Sequence, residues 1–419
     1  MTEEFTVQGH RISDLAERFG TPMYLYDGDV LRDVYTNLRG GLHPGVDIFY
    51  SAKANPNVSI CAVLRSLGAG IEVSSLTELI TARKAGAGPQ EIIFLGPGKS
   101  AAELDACLEH GIHAIVCESL DELTTLDALK PPADVRVLLR VNPAFTAKGA
   151  LLSMGGKPRQ FGIDEAAVRG SADLLKSLKH VRPSGVHAYM GTRILKAESI
   201  VENTRGILAM AGELSSALGF PLDTVDIGGG LGVPYFENEK DLDLAETVTG
   251  VNAAVQDFLE RRPGTRIITE LGRYLVGWSG TYVTRARYVK ESMGEWFVVA
   301  DGGTNHHMAA VGIGSFVKRN FPIRSLTRYN EPAVQQYNIT GPLCTPNDVV
   351  GKSVALPQVR PGDLLGVQRS GAYGPTASPV HFLSHGYPAE VLVLDGEAHL
   401  IRSPDTADDL LARQHLISL

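Results

Sequence analysis

The stretch VDIFYSAKANPNVSICAVLRSLGAGIEVSSLTELITARKAG, Val46 to Gly86, holds the pattern that decides the fold. VDIFYSA is a short apolar run of the kind shown by a strand buried on both faces. NVSICAVLRSLG follows with amphipathic helical spacing and closes on a glycine, where a left-handed cap is expected. GIEV, from Gly70, starts a second strand, and SLTELITARKAG a second helix that again ends on glycine. The unit is strand, helix, strand, helix.

The alternation continues downstream. IIFL from Ile92, HAIVC from His113, RVLLRV from Arg136, GVHAY from Gly185, TVDIG from Thr224 and RIITE from Arg266 read as strands. SAAELDACLEHG and AESIVENTRGILAMAGELSSALG read as helices among them. About eight parallel strands with outer helices make a TIM barrel. A doubly wound sheet would use fewer strands and carry a glycine fingerprint after the first. Past Val276 the helical periodicity fades, and TYVTRARYVKE, EWFVVADGG, DLLGVQ and EVLVLDGEAHLIR read as strands. The expected architecture is an α/β chain. A TIM (β/α)8 barrel covers residues 27–275, and a mostly β domain of the β-barrel kind covers 276–419, with residues 1–26, ending TPMYLYD, joining it in space.

Bulk properties exclude several function classes. The chain has 419 residues, too many for one ordinary core, with 44% hydrophobic and 21% charged residues, a soluble globular balance. A net charge of −8 argues against nucleic acid as the main partner. The four cysteines (Cys61, Cys107, Cys117, Cys344) have neither metal-ligand spacing nor disulfide-framework density. The start, MTEEFTVQGHRISDLAERFG, lacks the basic and apolar regions of a signal peptide, and no stretch is apolar enough to span a membrane. A cytoplasmic location is expected. Adjacent His306 and His307 do not point both side chains at one ion on a strand, so no metal is expected.

Three strand ends carry chemistry. Lys53, in YSAKANPN, ends the first barrel strand, at the mouth where barrel active sites lie. A lysine there among small residues suits a Schiff-base nucleophile, although alone it reads more readily as a solvated surface lysine. Gly228, Gly229 and Gly230 follow the seventh strand, where glycines admit an anion close to backbone N–H groups. TELGR ends the eighth: Glu270 would keep a pyridine nitrogen protonated, and Arg273 offers a bidentate contact to phosphate. Each feature is weak by itself. Their convergence on one mouth points to pyridoxal phosphate (PLP).

YSAKANPN, GIEVSSLTEL, LRVNP, DIGGGLG, ELGR, GPLCTPNDV and SGAYG occur in the order seen in the diaminopimelate/ornithine decarboxylase family, which the chain resembles from Lys53 to Tyr373. The resemblance implies the alanine-racemase-like PLP fold and an amino-acid carboxy-lyase. Lys53 would be the Schiff-base lysine and Glu270 the pyridine partner, with Gly229, Gly230, Arg273 and Tyr373 on the phosphate. Cys344 would come from the neighbouring subunit of a head-to-tail homodimer with shared active sites and return a proton after carbon dioxide leaves. Tyr189 and Thr192 would touch the cofactor. Glu72 and His187 lie near the expected site with no settled role.

Departures from the family pattern bear on substrate. Ornithine and diaminopimelate enzymes typically have an acid just after the cysteine, which reads a distal ammonium; here it is Thr345. An uncharged threonine leaves a desolvated ammonium unpaired. The Arg-Pro-x-x-Tyr segment of diaminopimelate enzymes is missing from GGTNHHMAAVGIGSFVKRNFPI, and Tyr189 stands where those enzymes stack a histidine. The variant pattern resembles a secondary-metabolism branch of the family, which includes a decarboxylase of a glutamyl group held on an acyl carrier protein in butirosin biosynthesis. Thr345, Asp348 and Arg319 are expected to face the substrate, an amino acid with a neutral or acylated side chain. Lys318 and Arg319 would meet a carrier's phosphate or acidic helix, although ordinary solvated charges look the same in sequence. Diaminopimelate decarboxylation, racemisation of the same substrate class and non-catalytic PLP binding are the alternatives.

Overall fold

The computed structural model describes residues 3–131, 134–145, 152–153, 155–311 and 319–418. The chain forms two compact units: Arg32–Pro234 with Glu239–Leu275, and Met1–Leu31 with Tyr235–Asn238 and Val276–Leu419.

The first unit is a closed barrel of eight parallel strands: β1 (Val46–Ser51), β2 (Gly70–Val73), β3 (Ile92–Phe94), β4 (Ala114–Cys117), β5 (Val135–Asn142), β6 (Val181–His187), β7 (Thr224–Gly229) and β8 (Arg266–Leu271). β8 pairs with β1, and β4 pairs with β5, so no edge remains among these eight. β2, β3 and β4 are buried along their whole length, the result of helices outside and side chains inside. Phe49, Ile93, Val116, Leu138 and Ile268 form one cluster, although β1, β3, β4, β5 and β8 are not all neighbours. They meet through the lumen, which is a packed core.

Serine caps fix where the helices begin. Ser75, Ser100 and Ser119 accept the backbone N–H of Glu78, Glu103 and Glu122, respectively, three residues on. Such caps contribute about 1 kcal/mol each and start each helix close to the strand before it. Every strand therefore delivers its C-terminal end to the same rim.

The second unit holds a mixed nine-stranded sheet. Its strands are Met23–Asp27, β9 (Gly280–Ser292), β10 (Glu295–Ala300), β11 (Ile323–Ser325), β12 (Gln335–Thr340), β13 (Val349–Leu356), β14 (Leu364–Gln368), β15 (Ala389–Leu394) and β16 (Glu397–Arg402). Met23–Asp27 lies between β9, antiparallel, and β15, parallel. Met23, Leu25, Val283, Leu364, Val391 and Val393 share one core cluster. His306 and His307 are buried here: Nε2 of His306 lies 3.0 Å from Gly386 O, and Nε2 of His307 lies 2.7 Å from Ser370 Oγ. No helix among the described residues is long and apolar enough to cross a membrane.

Candidate active site

Lys53 sits in the turn Ala52–Ala54 directly after β1. Its Nζ donates to Glu72 Oε2 at 3.0 Å, and the other Glu72 oxygen accepts from Ser74 Oγ at 2.9 Å. Glu72 lies opposite Ser51 in the β1–β2 register, so strand pairing alone brings the acid to the lysine. The lysine side chain is 41% exposed and the glutamate 1%, which leaves the ammonium within reach of solvent while its partner is fixed.

The β7–β8 register pairs Asp226 with Ile268 and then Gly229 with Glu270, with a bulge between. A bulge re-aims side chains and turns the chain, and here it builds the glycine loop. Gly228 and Gly230 have φ of 64° and 96°. A Cβ on Gly229 would stand 1.8 Å from Glu270 O, and one on Gly230 2.1 Å from Gly191 O. No side chain fits at either place. Thr269 Oγ1 donates to Gly228 O at 2.8 Å, and Ile194 N donates to Gly230 O at 2.9 Å, so the loop is held from two sides.

Behind that loop lies a buried charge cluster. His187 and Asp226 are partners in the β6–β7 register. His187 Nε2 is 3.5 Å from Glu270 Oε2, at the outer edge of hydrogen bonding, with both side chains 0% exposed. Asp226 Oδ1 accepts Gly228 N at 2.8 Å. Glu270 Oε1, Asp226 Oδ2 and His187 Nδ1 have no hydrogen-bond partner among the described residues. Burial, followed by the adjacent Glu270 charge, holds the Asp226 carboxyl well above the usual carboxylate range. Burial would raise Glu270 too, but His187, Lys53 and the neighbouring Asp226 carboxyl outweigh it and lower it.

The other barrel residues singled out in the sequence fall around this mouth. Arg273 opens the short helix Arg273–Val276 and is half-buried. Gly272 before it keeps the lysine turn close, since a Cβ there would be 2.8 Å from Ala54 Cβ. Tyr189 is half-buried, and its Cδ2 would lie 3.0 Å from a Cβ on Gly228. Thr192, on the short strand Gly191–Thr192, pairs with Leu152. Asp226 is the residue that sequence reasoning left without a role. Its signal was a lone acid inside the apolar run TVDIGG, every residue of which is buried or nearly so.

Within the second unit, Cys344 is exposed on the loop between β12 and β13. The other three cysteines are buried, and burial pushes the Cys61 and Cys107 thiols up to about 12. Thr345 is half-buried; its Oγ1 accepts Asn347 N at 3.4 Å, and its carbonyl accepts Asp348 N at 3.2 Å. Asp348, expected to face substrate, is instead 2% exposed. Its Oδ1 accepts Thr304 N at 2.7 Å and Thr304 Oγ1 at 3.0 Å, and Oδ2 accepts Leu343 N at 2.8 Å. Both oxygens shape the loop around Cys344. Arg319 is exposed, its guanidinium 5.5 Å from the Phe236 ring centroid. Tyr373 is half-buried with φ of 54°. Lys318 lies outside the described residues, as do 312–317.

Comparison with known proteins bears on both units. Residues 32–277 match the model of the pyridoxal-dependent decarboxylase family, pyridoxal binding domain. A decarboxylase of the L-glutamyl-BtrI acyl-carrier protein from Niallia circulans is 40% identical over 409 residues, 96% of each chain. Diaminopimelate decarboxylase of Helicobacter pylori strain J99 is 31% identical over 401 residues, 95% of this chain and 96% of that one. The crystal structure of diaminopimelate decarboxylase from M. jannaschii in complex with L-lysine superposes with a TM-score of 0.89 at 26% identity, covering 99% of this chain and 96% of that one.

Proposed function

The chain belongs to the pyridoxal-dependent decarboxylases and is a PLP-dependent carboxy-lyase, and from that premise we propose that its substrate is an amino acid with a neutral or acylated side chain, presented on an acyl carrier protein. The observation that carries this reading is the absence, among the described residues, of an exposed acid in the loop beside Cys344. Thr345 is uncharged, and both oxygens of the nearby Asp348 accept from Thr304 and Leu343. Neither offers a counter-charge to a distal ammonium, and an unpaired buried ammonium is costly. The 40% identical relative acts on a glutamyl group bound to a carrier protein, which fits an uncharged pocket.

The barrel residues fit the cofactor. Lys53 Nζ, held by Glu72, is the amine for its aldehyde. Glu270, whose Oε1 has no partner among the described residues, would accept from the protonated pyridine nitrogen. Gly229, Gly230 and Arg273 would supply donors for its phosphate. The bound cofactor provides an electron sink for the pair left when carbon dioxide departs.

The protein's own part is placement and proton handling. Glu72 keeps the lysine amine in one position and accepts from it. Glu270, lowered by His187 and Lys53, stays charged against the ring nitrogen. Tyr189 and Thr192 line the mouth. Cys344, contributed by a second copy in a homodimer, returns the proton to the substrate carbon. Arg319 meets the carrier.

Mass spectrometry of reaction mixtures tests the substrate reading, with free amino acids set against aminoacylated carrier proteins. Loss of carbon dioxide from a carrier-bound amino acid at a rate far above any free diamino acid is the expected result. Equal or faster turnover of free diaminopimelate or ornithine would remove the argument from Thr345. Inverted chirality without mass loss would make the protein a racemase.

A further inference from the structure

Asp226 is the acid of the barrel mouth to which the assignment above gives no task. One nitrogen or oxygen from each of His187, Asp226 and Glu270 lies within 4.8 Å of the other two, and all three residues are buried. Two carboxylates this close, away from water, do not both carry charge; the pair holds a proton.

Geometry decides which one holds it. Glu270 Oε2 faces a ring nitrogen of His187, and the lysine ammonium favours its charged form. Asp226 has a single backbone donor, Gly228 N, on Oδ1, while Oδ2 has none among the described residues. The acids that bear on Asp226 are Glu270 on β8 and Glu72 on β2; His187 stands opposite on β6. Two negative neighbours and full burial all favour the neutral form. We propose that Asp226 carries the shared proton and donates it from Oδ2 to the Glu270 carboxylate, which makes it a positioning residue tying the pyridine partner to the glycine loop. One side chain then joins the two ends of the cofactor site: Oδ1 senses Gly228, and Oδ2 orients Glu270. This rests on Glu270 being the pyridine partner.

The test uses the apo-protein and PLP itself, with affinity read by absorbance titration. Asp226→Asn is the mimic of the protonated acid, since its amide oxygen accepts Gly228 N–H and its amide nitrogen donates to Glu270. PLP affinity in Asp226→Asn stays within about threefold of wild type, while Asp226→Ala weakens it by about tenfold or more, the size of one lost hydrogen bond to a charged group. Thermal unfolding of the apo-proteins separates lost positioning from lost folding. If Asp226→Asn weakens PLP as much as Asp226→Ala, the side chain acts as a carboxylate and the proposal is wrong. Wild-type affinity in Asp226→Ala also overturns it. Should Asp226→Ala fail to fold, a tenfold loss in Asp226→Asn alone is enough to do so. Glu270→Gln distinguishes the underlying reading: unchanged cofactor spectrum and turnover there would sink the pyridine assignment whatever Asp226 does.

Discussion

Two buried aspartates, one in each unit, show opposite uses of the same side chain. Asp348 has both oxygens engaged by three donors, two from Thr304 and one from Leu343 in its own loop. Asp226 is equally buried, yet one of its oxygens has no hydrogen-bond partner among the described residues. Buried polar groups are ordinarily satisfied, so the first is an architectural carboxylate. The second, with Glu270 and His187, forms a set whose incomplete bonding waits for something else. The difference separates a satisfied loop-building acid from an unsatisfied one within one chain, and burial alone does not reveal it.

The comparison is broken most directly at Glu270. Replacing it with glutamine removes the charge from the orphaned set, and turnover should fall by about 10²–10³-fold, the scale seen when a preorganised electrostatic partner is lost. Apo-protein stability near neutral pH should fall too, because the fold favours the charged form of Glu270. Steady-state kinetics and thermal unfolding measured together check both halves. A variant that loses stability but keeps turnover would place Glu270 with Asp348 instead.

The next test makes one substitution at both aspartates. An asparagine in place of Asp348 has one acceptor oxygen where the loop needs two, and its amide would face a backbone N–H. Asp348→Asn should therefore cost about 2–3 kcal/mol, whereas Asp226→Asn should cost nothing. With Cys61, Cys107 and Cys117 buried, the alkylation rate of the exposed Cys344 reports on its loop, and it should change in Asp348→Asn but not in Asp226→Asn. Equal stability of the two variants would erase the distinction.

pH sharpens it further. Asp226 is an acid raised in the fold, so between its unfolded value, about 4, and its folded value the native state holds a proton that the unfolded chain has lost. Stability then falls as pH rises through that window, by up to ~1.4 kcal/mol per unit for one proton. Glu270 has the reverse sign: lowered in the fold, its contribution is present above the unfolded value and disappears as pH falls through the folded one. Wild-type and Asp226→Asn apo-proteins should thus melt alike near pH 4, with the variant gaining as pH rises. Parallel denaturation curves across pH would mean that Asp226 ionises freely.

The sequence made the barrel legible because its strands are short runs of apolar residues separated by capped helices, and that pattern is local. Lys53, the glycines and Glu270 could be found from their places at strand ends. β12 was hidden: QQYNIT is polar, and it becomes a strand by pairing with β10 and β13. The engagement of Asp348 was not legible for a similar reason, since its partner Thr304 lies 44 residues away. Asp226 stood in plain view within DIGGGLG, but its neighbour Glu270 is on another strand, and an acid before glycines reads as part of a turn. Chemistry carried by one strand end is visible in one dimension; chemistry made by register is not.

The smallest predicted effect concerns the loop that Asp348 builds. Because Asp348 is fully engaged, the side chain at 345 is left to set the charge beside Cys344, and Thr345→Asp adds the acid that Asp348 cannot supply. A new carboxylate able to meet a distal ammonium should raise relative kcat/KM for a free diamino acid over a neutral aminoacyl substrate by about tenfold, the scale of one partly solvated ion pair. Competition between the two substrates, followed by mass spectrometry, measures the ratio directly. Thr345→Ala is the control, and it should leave the ratio near the wild-type value, since among the described residues the threonine hydroxyl serves only Asn347 N. If Thr345→Asp shifts nothing while turnover of the neutral substrate persists, the side chain at 345 does not read substrate charge, and discrimination lies elsewhere.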